Sequence, residues 1–177
     1  MKKIRLATIW LDGCSGCHMS FLDMDERLLD LAERLELVYS PLVDQKEFPQ
    51  DVDLTLIEGA VSTDADIEKV KKIRQRTKLL VAFGDCAVTA NIPSMRNPIG
   101  LECVMNSVYL EKGALNPQIP NQIVPQLLNR SIPLHNVVKV DLFVPGCPPS
   151  ADTIYFTLCG LLEGRVPDLT SLSRFGA

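Results

Sequence analysis

Residues 10–23, WLDGCSGCHMSFLD, decide how the rest of the chain is read. An apolar run of strand character, residues 4–11, empties into a glycine-rich turn that holds Cys14 and Cys17. Beyond the turn, Phe21, Met24, Leu28, Leu31, Leu35 and Val38 recur at three- and four-residue steps, which predicts an amphipathic helix over residues 21–38. Strand, tight turn and helix in that order open a βαβ unit. The two thiols at its mouth read as a metal clamp or as a dithiol redox pair.

The alternation continues downstream. Residues 37–43 read as a short edge strand, because Pro41 would withhold a ladder donor. Residues 53–61, DLTLIEGAV, form an expected strand ended by Gly59. Ser62, Thr63 and Asp64 then supply N-cap chemistry for a helix to about Arg76, with Ile67, Val70 and Ile73 on one face. KLLVAF at 78–83 is the next strand and breaks at Gly84 into GDCAVTAN. The last expected strand is 137–144, followed by PGCPPSADT and an apolar helix over 154–162. Strands alternating with helices imply a three-layer α/β fold with a mostly parallel sheet. With four or five strands, a flavodoxin-like order is the expectation. Between residues 92 and 136 the alternation fails. Six of the twelve prolines fall there, predicting an irregular insertion with one short helix over 101–110. Residues 1–177 read as a single domain, long enough to bury a sizeable core.

Composition narrows the function classes. Hydrophobic residues make up 46% and charged residues 23%, the balance of a globular chain. The net charge of −4 argues against nucleic acid, and KKIRQR at 71–76 fits the solvated end of a helix. No apolar run approaches the ~18 residues needed to cross a bilayer. The N-terminus carries neither a signal-type apolar region nor a twin-arginine signal, so a cytoplasmic location is expected. Six cysteines in a reducing compartment favour metal binding, catalysis or burial over disulfides. The mean hydropathy of +0.12 is high for a small free-standing protein and fits a surface covered by a partner.

In an open α/β sheet, ligands bind beyond the carboxyl ends of the strands. Cys14 and Cys17 follow the first strand, Cys86 follows KLLVAFGD, and Cys147 follows DLFVPG. A parallel sheet would bring all four to one edge, where four thiolates suit a tetrahedral zinc or an iron–sulfur cluster. Gly13, Gly16, Gly84 and Gly146 let backbone approach such a group. Cys103 and Cys159 read as buried, inert thiols. Glu58 ends a strand on the same edge. It reads either as a solvated loop carboxylate or as one beside the metal that accepts hydrogen bonds or passes protons. Asp12 and Asp85 read as turn caps, His18 as a hydrogen-bond partner of a cluster or of a docking protein, His135 as a loop histidine, and Trp10 as core or interface.

WLDGCSGCHMSFLD, LIEGAV, VAFGDCAVTANIPSMRNP and DLFVPGCPPSADT, in that order, resemble the signature segments of [NiFe]-hydrogenase small subunits, from residue 10 to residue 152. The resemblance implies that Cys14, Cys17, Cys86 and Cys147 ligate one [4Fe–4S] cluster. It also aligns Glu58 with the family's glutamate near the inter-subunit face, and it places the [NiFe] centre in a large-subunit partner. Only Cys159 remains after Cys147, so a single cluster is implied. Among the branches of that family, the chain most resembles the small subunit of cytoplasmic, bidirectional NAD(P)-linked hydrogenases. There electrons pass to a diaphorase module that holds FMN and further iron–sulfur clusters. The implied role is that of a non-autonomous electron-transfer subunit in reversible H2 oxidation. Alternatives from other classes are a complex I-like quinone-reductase iron–sulfur subunit, a flavodoxin-like FMN-binding module, and a zinc-stabilised binding protein. The first carries adjacent cysteines where this chain has Cys14-Ser15-Gly16-Cys17, and the second would build its phosphate loop on Ser15 and the neighbouring glycines. The fold would also admit a flavin beside the cluster, although no residue calls for one.

Overall fold

Strand β1 (Ile4–Trp10) sends alternate side chains into opposite cores, as the two-residue period of a strand requires. The computed structural model describes residues 2–113 and 115–172. Among these, β2 (Leu35–Tyr39), β1, β3 (Val52–Glu58), β5 (Thr77–Phe83) and β7 (Leu142–Val144) lie side by side in that order, all parallel. Renumbered within this sheet the order is 2-1-3-4-5, the flavodoxin-like winding expected from the sequence. On one face Leu6, Leu54, Leu56, Val81 and Phe83 pack against α1 (Gly16–Leu22), α2 (Arg27–Arg34) and α6 (Ala151–Leu162). On the other, Ala7, Ile9, Ile57, Leu80 and Ala82 pack against α3 (Asp64–Arg76) and α4 (Asp85–Thr89). Each fully buried Leu, Ile or Val contributes about 1.5–3 kcal/mol. A one-residue slip of any central strand would exchange these faces, so packing fixes the register.

Three elements differ from the sequence reading. The helix expected over 21–38 begins earlier, at Gly16, and breaks between Leu22 and Arg27, where Asp25 takes a left-handed φ of 52°. Its last four residues belong to β2, which begins two residues before the edge strand expected over 37–43 and ends at Tyr39, because pairing Leu35 with Ile4 and Leu37 with Leu6 lets the segment join the sheet. The strand expected over 53–61 ends at Glu58. Gly59, at φ 88°, reverses the chain into β4 (Val61–Thr63), which pairs antiparallel with β6 (Leu127–Ile132). This pair was not expected, since LLNRSI lacks apolar alternation. The insertion is otherwise irregular: a 3-10 turn over Ile92–Arg96 precedes α5 (Leu101–Met105), which widens into a π-helical turn over Asn106–Glu111. Thr63 caps α3 with a reciprocal capping box to Asp66. Among the described residues no helix is long and apolar enough to cross a membrane.

The third difference has a clear polar cause. The strand expected over 137–144 is confined to Leu142–Val144 because Asp141 closes onto Leu80 first. Its main-chain N–H donates to Leu80 O at 2.9 Å, and its carboxylate accepts the Leu80 N–H at 2.8 Å. Arg74 completes the clamp, donating to Asp141 Oδ2 at 2.5 Å and to the carbonyls of Thr77 and Lys78 at 2.6 and 3.0 Å. Partial burial pushes the Asp141 carboxyl up, but the Leu80 N–H and the Arg74 guanidinium more than offset this and hold it below the usual carboxylate range. A carboxyl with a depressed folded-state pKa stabilises the protein above its unfolded pKa of about 3.9. That contribution is lost as pH falls through the lower folded value. Asp141→Asn is therefore expected to lower the urea midpoint at pH 7, by an amount equivalent to about 1–3 kcal/mol. The gap to the parent protein should narrow steadily when the measurement is repeated below pH 4.

Candidate metal centre

The parallel register brings Trp10 opposite Glu58, and Phe83 opposite Val144, so β1, β3, β5 and β7 end along one edge. The turns leaving that edge carry the thiols. After β1, Leu11 N–H donates to Glu58 O at 3.0 Å. Asp12 and Ala60 exchange main-chain hydrogen bonds at 3.1 and 2.7 Å, stapling the Cys14 turn to the end of β3. A Cβ on Gly59 would lie 2.7 Å from Leu11 C, so only glycine permits this approach. Cys17 then lies in the first turn of α1 and Cys86 in the first turn of α4.

Asp85 ties the next two turns together. Its N–H donates to Gly146 O at 2.9 Å, and its carboxylate accepts the Gly146 N–H at 2.7 Å. The aspartate expected to cap a turn is a buried latch between the Cys86 and Cys147 loops. Cys14, Cys17, Cys86 and Cys147 line a single cavity with Glu58, Asp85 and the glycines at 13, 16, 59 and 146. Gly84, at φ 82°, forms the wall behind Cys17, where a Cβ would collide with Cys17 Sγ. A Cβ on Gly16 would stand 3.2 Å from Cys14 Sγ. Among the described residues no three His, Cys, Asp or Glu side chains converge as they would around a single metal ion.

The remaining sequence candidates fall as follows. Cys159 is half-buried on α6 within the core beneath α1, whereas Cys103 is exposed on α5 rather than buried as expected. Both lie outside the lining of the thiol cavity. Trp10 is 45% exposed at the end of β1, a surface and not a core position. His135 meets the Phe143 ring edge-on at 5.8 Å. Asp12 accepts a hydrogen bond from Ser62 Oγ, which also pairs with Ser131 Oγ of β6 at 2.8 Å.

Glu58 is not a solvated carboxylate: it is 2% exposed. Its Oε2 accepts the His18 main-chain N–H at 2.8 Å and lies 3.1 Å from His18 Nδ1. Oε1 accepts no N–H or O–H among the described residues, and the Cys17 thiol stands beside the carboxylate. His18 is buried too, with Nε2 2.9 Å from Thr8 Oγ1, and Thr8 Oγ1 donates to Ser40 Oγ at 3.0 Å. The imidazole thus faces the sheet interior, in place of the cluster or docking protein expected from the sequence. Thr8 and Ser40 were missed. Their signal was a polar residue inside the apolar run IRLATIW and a serine before Pro41.

The electrostatics explain what the cavity demands. Burial pushes the Cys17 thiol far above its ordinary range, helped by Glu58 and Cys86. Burial likewise pushes Cys86 up to about 11, against the Ile92 N–H that favours its thiolate and with Cys147, Cys14 and Asp12 adding to the rise. Each thiolate formed here opposes the next, so four together require positive charge in their midst.

This architecture matches a known family over residues 14–161, described as NADH ubiquinone oxidoreductase, 20 Kd subunit. The chain belongs to this family. Within it, the chain is a homologue of the delta subunit of the NAD-reducing hydrogenase HoxS of Cupriavidus necator. The two are 39% identical, over 98% of this chain and 86% of the other. It is also 40% identical to a subunit of the vhu F420-non-reducing hydrogenase of Methanococcus voltae, over 94% of this chain but only 59% of that one. Among solved structures, a chain of an NAD+-reducing [NiFe]-hydrogenase in the H2-reduced state superposes with a TM-score of 0.94 at 40% identity. That superposition covers 98% of this chain and 99% of the other. A chain of the [NiFeSe] hydrogenase of Desulfovibrio vulgaris Hildenborough superposes at a TM-score of 0.62, covering 92% of this chain and 60% of that one. At 18% identity this is a likeness of fold alone. The family assignment places the chain among the subunits of oxidoreductase complexes.

For this family member, Glu58 is first a structural acceptor. Glu58→Ala leaves the buried His18 N–H unpaired and is expected to cost about 1–3 kcal/mol in urea unfolding. Glu58→Gln, which keeps an amide oxygen in place, is expected to cost less than half as much. Equal losses in the two variants would show that the His18 N–H does not depend on that oxygen.

Proposed function

We propose that this chain is the electron-transfer small subunit of a [NiFe] hydrogenase, with one [4Fe–4S] cluster held by Cys14, Cys17, Cys86 and Cys147. The observation that carries this reading is the single cavity lined by four thiols from three separate strand-end turns, with glycine where any side chain would intrude. The spread of the four thiols over three separate turns suits a body larger than one zinc ion. When bound, the cluster supplies one-electron transfer at this edge of the sheet.

The protein's own contribution is to hold and shield. The Asp85–Gly146 latch keeps the Cys86 and Cys147 loops at fixed separation. The Gly16 N–H approaches Cys14 Sγ at 3.4 Å, and the Ile92 N–H reaches Cys86 and favours its thiolate. Cys17 stands against Glu58 with most of its surface withdrawn from water. Homology to an NAD-reducing hydrogenase subunit supports the partners: a large subunit bearing the [NiFe] centre, and a diaphorase module with FMN and iron–sulfur clusters that reduces NAD(P)+ in the cytoplasm.

Iron and acid-labile sulfide analysis tests the reading, with about four of each expected per chain. One zinc, or flavin alone, would sink it. In the assembled complex, Cys147→Ser is expected to deplete the iron and stop H2-dependent NAD(P)+ reduction, whereas Cys159→Ser keeps both. A complex that oxidises NADH with a quinone and takes no electrons from H2 would instead support the quinone-reductase alternative.

A further inference from the structure

A second cavity, separate from the thiol site, opens on the other side of His18. Its volume is about 250 Å³. Its walls are apolar, formed by Leu6, Phe21, Leu28, Leu31 and Leu35 beneath the α1–α2 break. Its polar lining comes from Thr8, His18 and Ser40, each more than nine-tenths buried. A pocket of this kind, greasy on the sides with a few convergent polar groups, is the ordinary form of a small-molecule site.

The hydrogen bonds on the floor are directional. Thr8 Oγ1 donates to Ser40 Oγ at 3.0 Å, and the Leu42 N–H donates to the same oxygen at 3.1 Å. Ser40 therefore accepts twice, and among the described residues its own hydroxyl proton meets no acceptor. A buried donor without a partner carries a desolvation penalty, which an incoming acceptor recovers. The apolar walls would reject a charged or heavily hydrated ligand. We propose that this pocket binds a small, largely apolar molecule bearing one hydrogen-bond acceptor, such as an aryl or alicyclic carbonyl compound, with its oxygen on Ser40. The site is independent of the metal reading, since none of its polar residues carries a thiol. His18 nevertheless stands 3.1 Å from Glu58, so the bound molecule lies two side chains from the thiol cavity.

Two probes of matched shape test the proposal on the full chain. Acetophenone carries the acceptor, and α-methylstyrene replaces its oxygen with a methylene group. Affinities are read by ligand-detected NMR and by the rise in thermal midpoint. Acetophenone is expected to bind roughly fivefold more tightly than α-methylstyrene, and Ser40→Ala to remove that preference. Ala32→Phe fills the pocket from the exposed face of α2 without touching the polar floor, and it is expected to abolish binding of both probes. Equal affinity for the two probes, no binding of acetophenone at millimolar concentration, or binding that survives Ala32→Phe would each overturn the assignment.

Discussion

A parallel strand can offer a ligand only what lies beyond its carboxyl end, and here four such strands finish in step. Hydrogen-bonded ladders running from Leu6 opposite Leu54 to Phe83 opposite Val144 set that alignment. Every functional statement about the molecule depends on it. Cys17 and Cys86, with 68 residues between them, become neighbours without any contact local in sequence. The two cores that lock the ladders are thus as much a part of the thiol cavity as the thiols are.

Around that edge the chain replaces ordinary turn chemistry with long-range polar ties. Asp85 reaches across to Gly146, and Asp12 to the β3–β4 turn, while at the opposite end of the sheet Asp141 reaches to Leu80 under the Arg74 clamp. The first two ties each fix the relative position of two strand ends, a function that a loop packed only by its own side chains could not perform. Glu58 does the same for the start of α1, at the cost of burying a carboxylate beside a histidine. The homologous hydrogenase chain that superposes at a TM-score of 0.94 shows that the backbone these ties hold recurs nearly whole.

The fold and the four thiols were legible because both follow from local pattern plus one topological rule. IRLATIW, DLTLIE and KLLVAF announce strands by continuous apolar character, and each leads into a glycine. What escaped was set by partners distant in sequence. Leu35 and Glu36 also suit a helical stripe, and only the free edge of β1 starts the expected edge strand there rather than at Leu37. LLNRSI pairs with β4 although its own pattern carries no alternation. The truncation of β7 depends on an arginine 67 residues away. The inward turn of His18 depends on Thr8 and Glu58, and no motif around Cys17 encodes either.

The thiols are also unequal in their access to water: Cys14 and Cys147 are exposed, while Cys17 and Cys86 sit deeper. This gives the cavity a mouth and a back. Any reagent entering from water, whether it brings metal, strips it or oxidises sulfur, meets the two outer thiols before the two inner ones. Under the proposed cluster reading, loading and damage would therefore share one doorway. A partner that covered Cys14 and Cys147 would close it, and the cluster would then have to be in place before that partner docked.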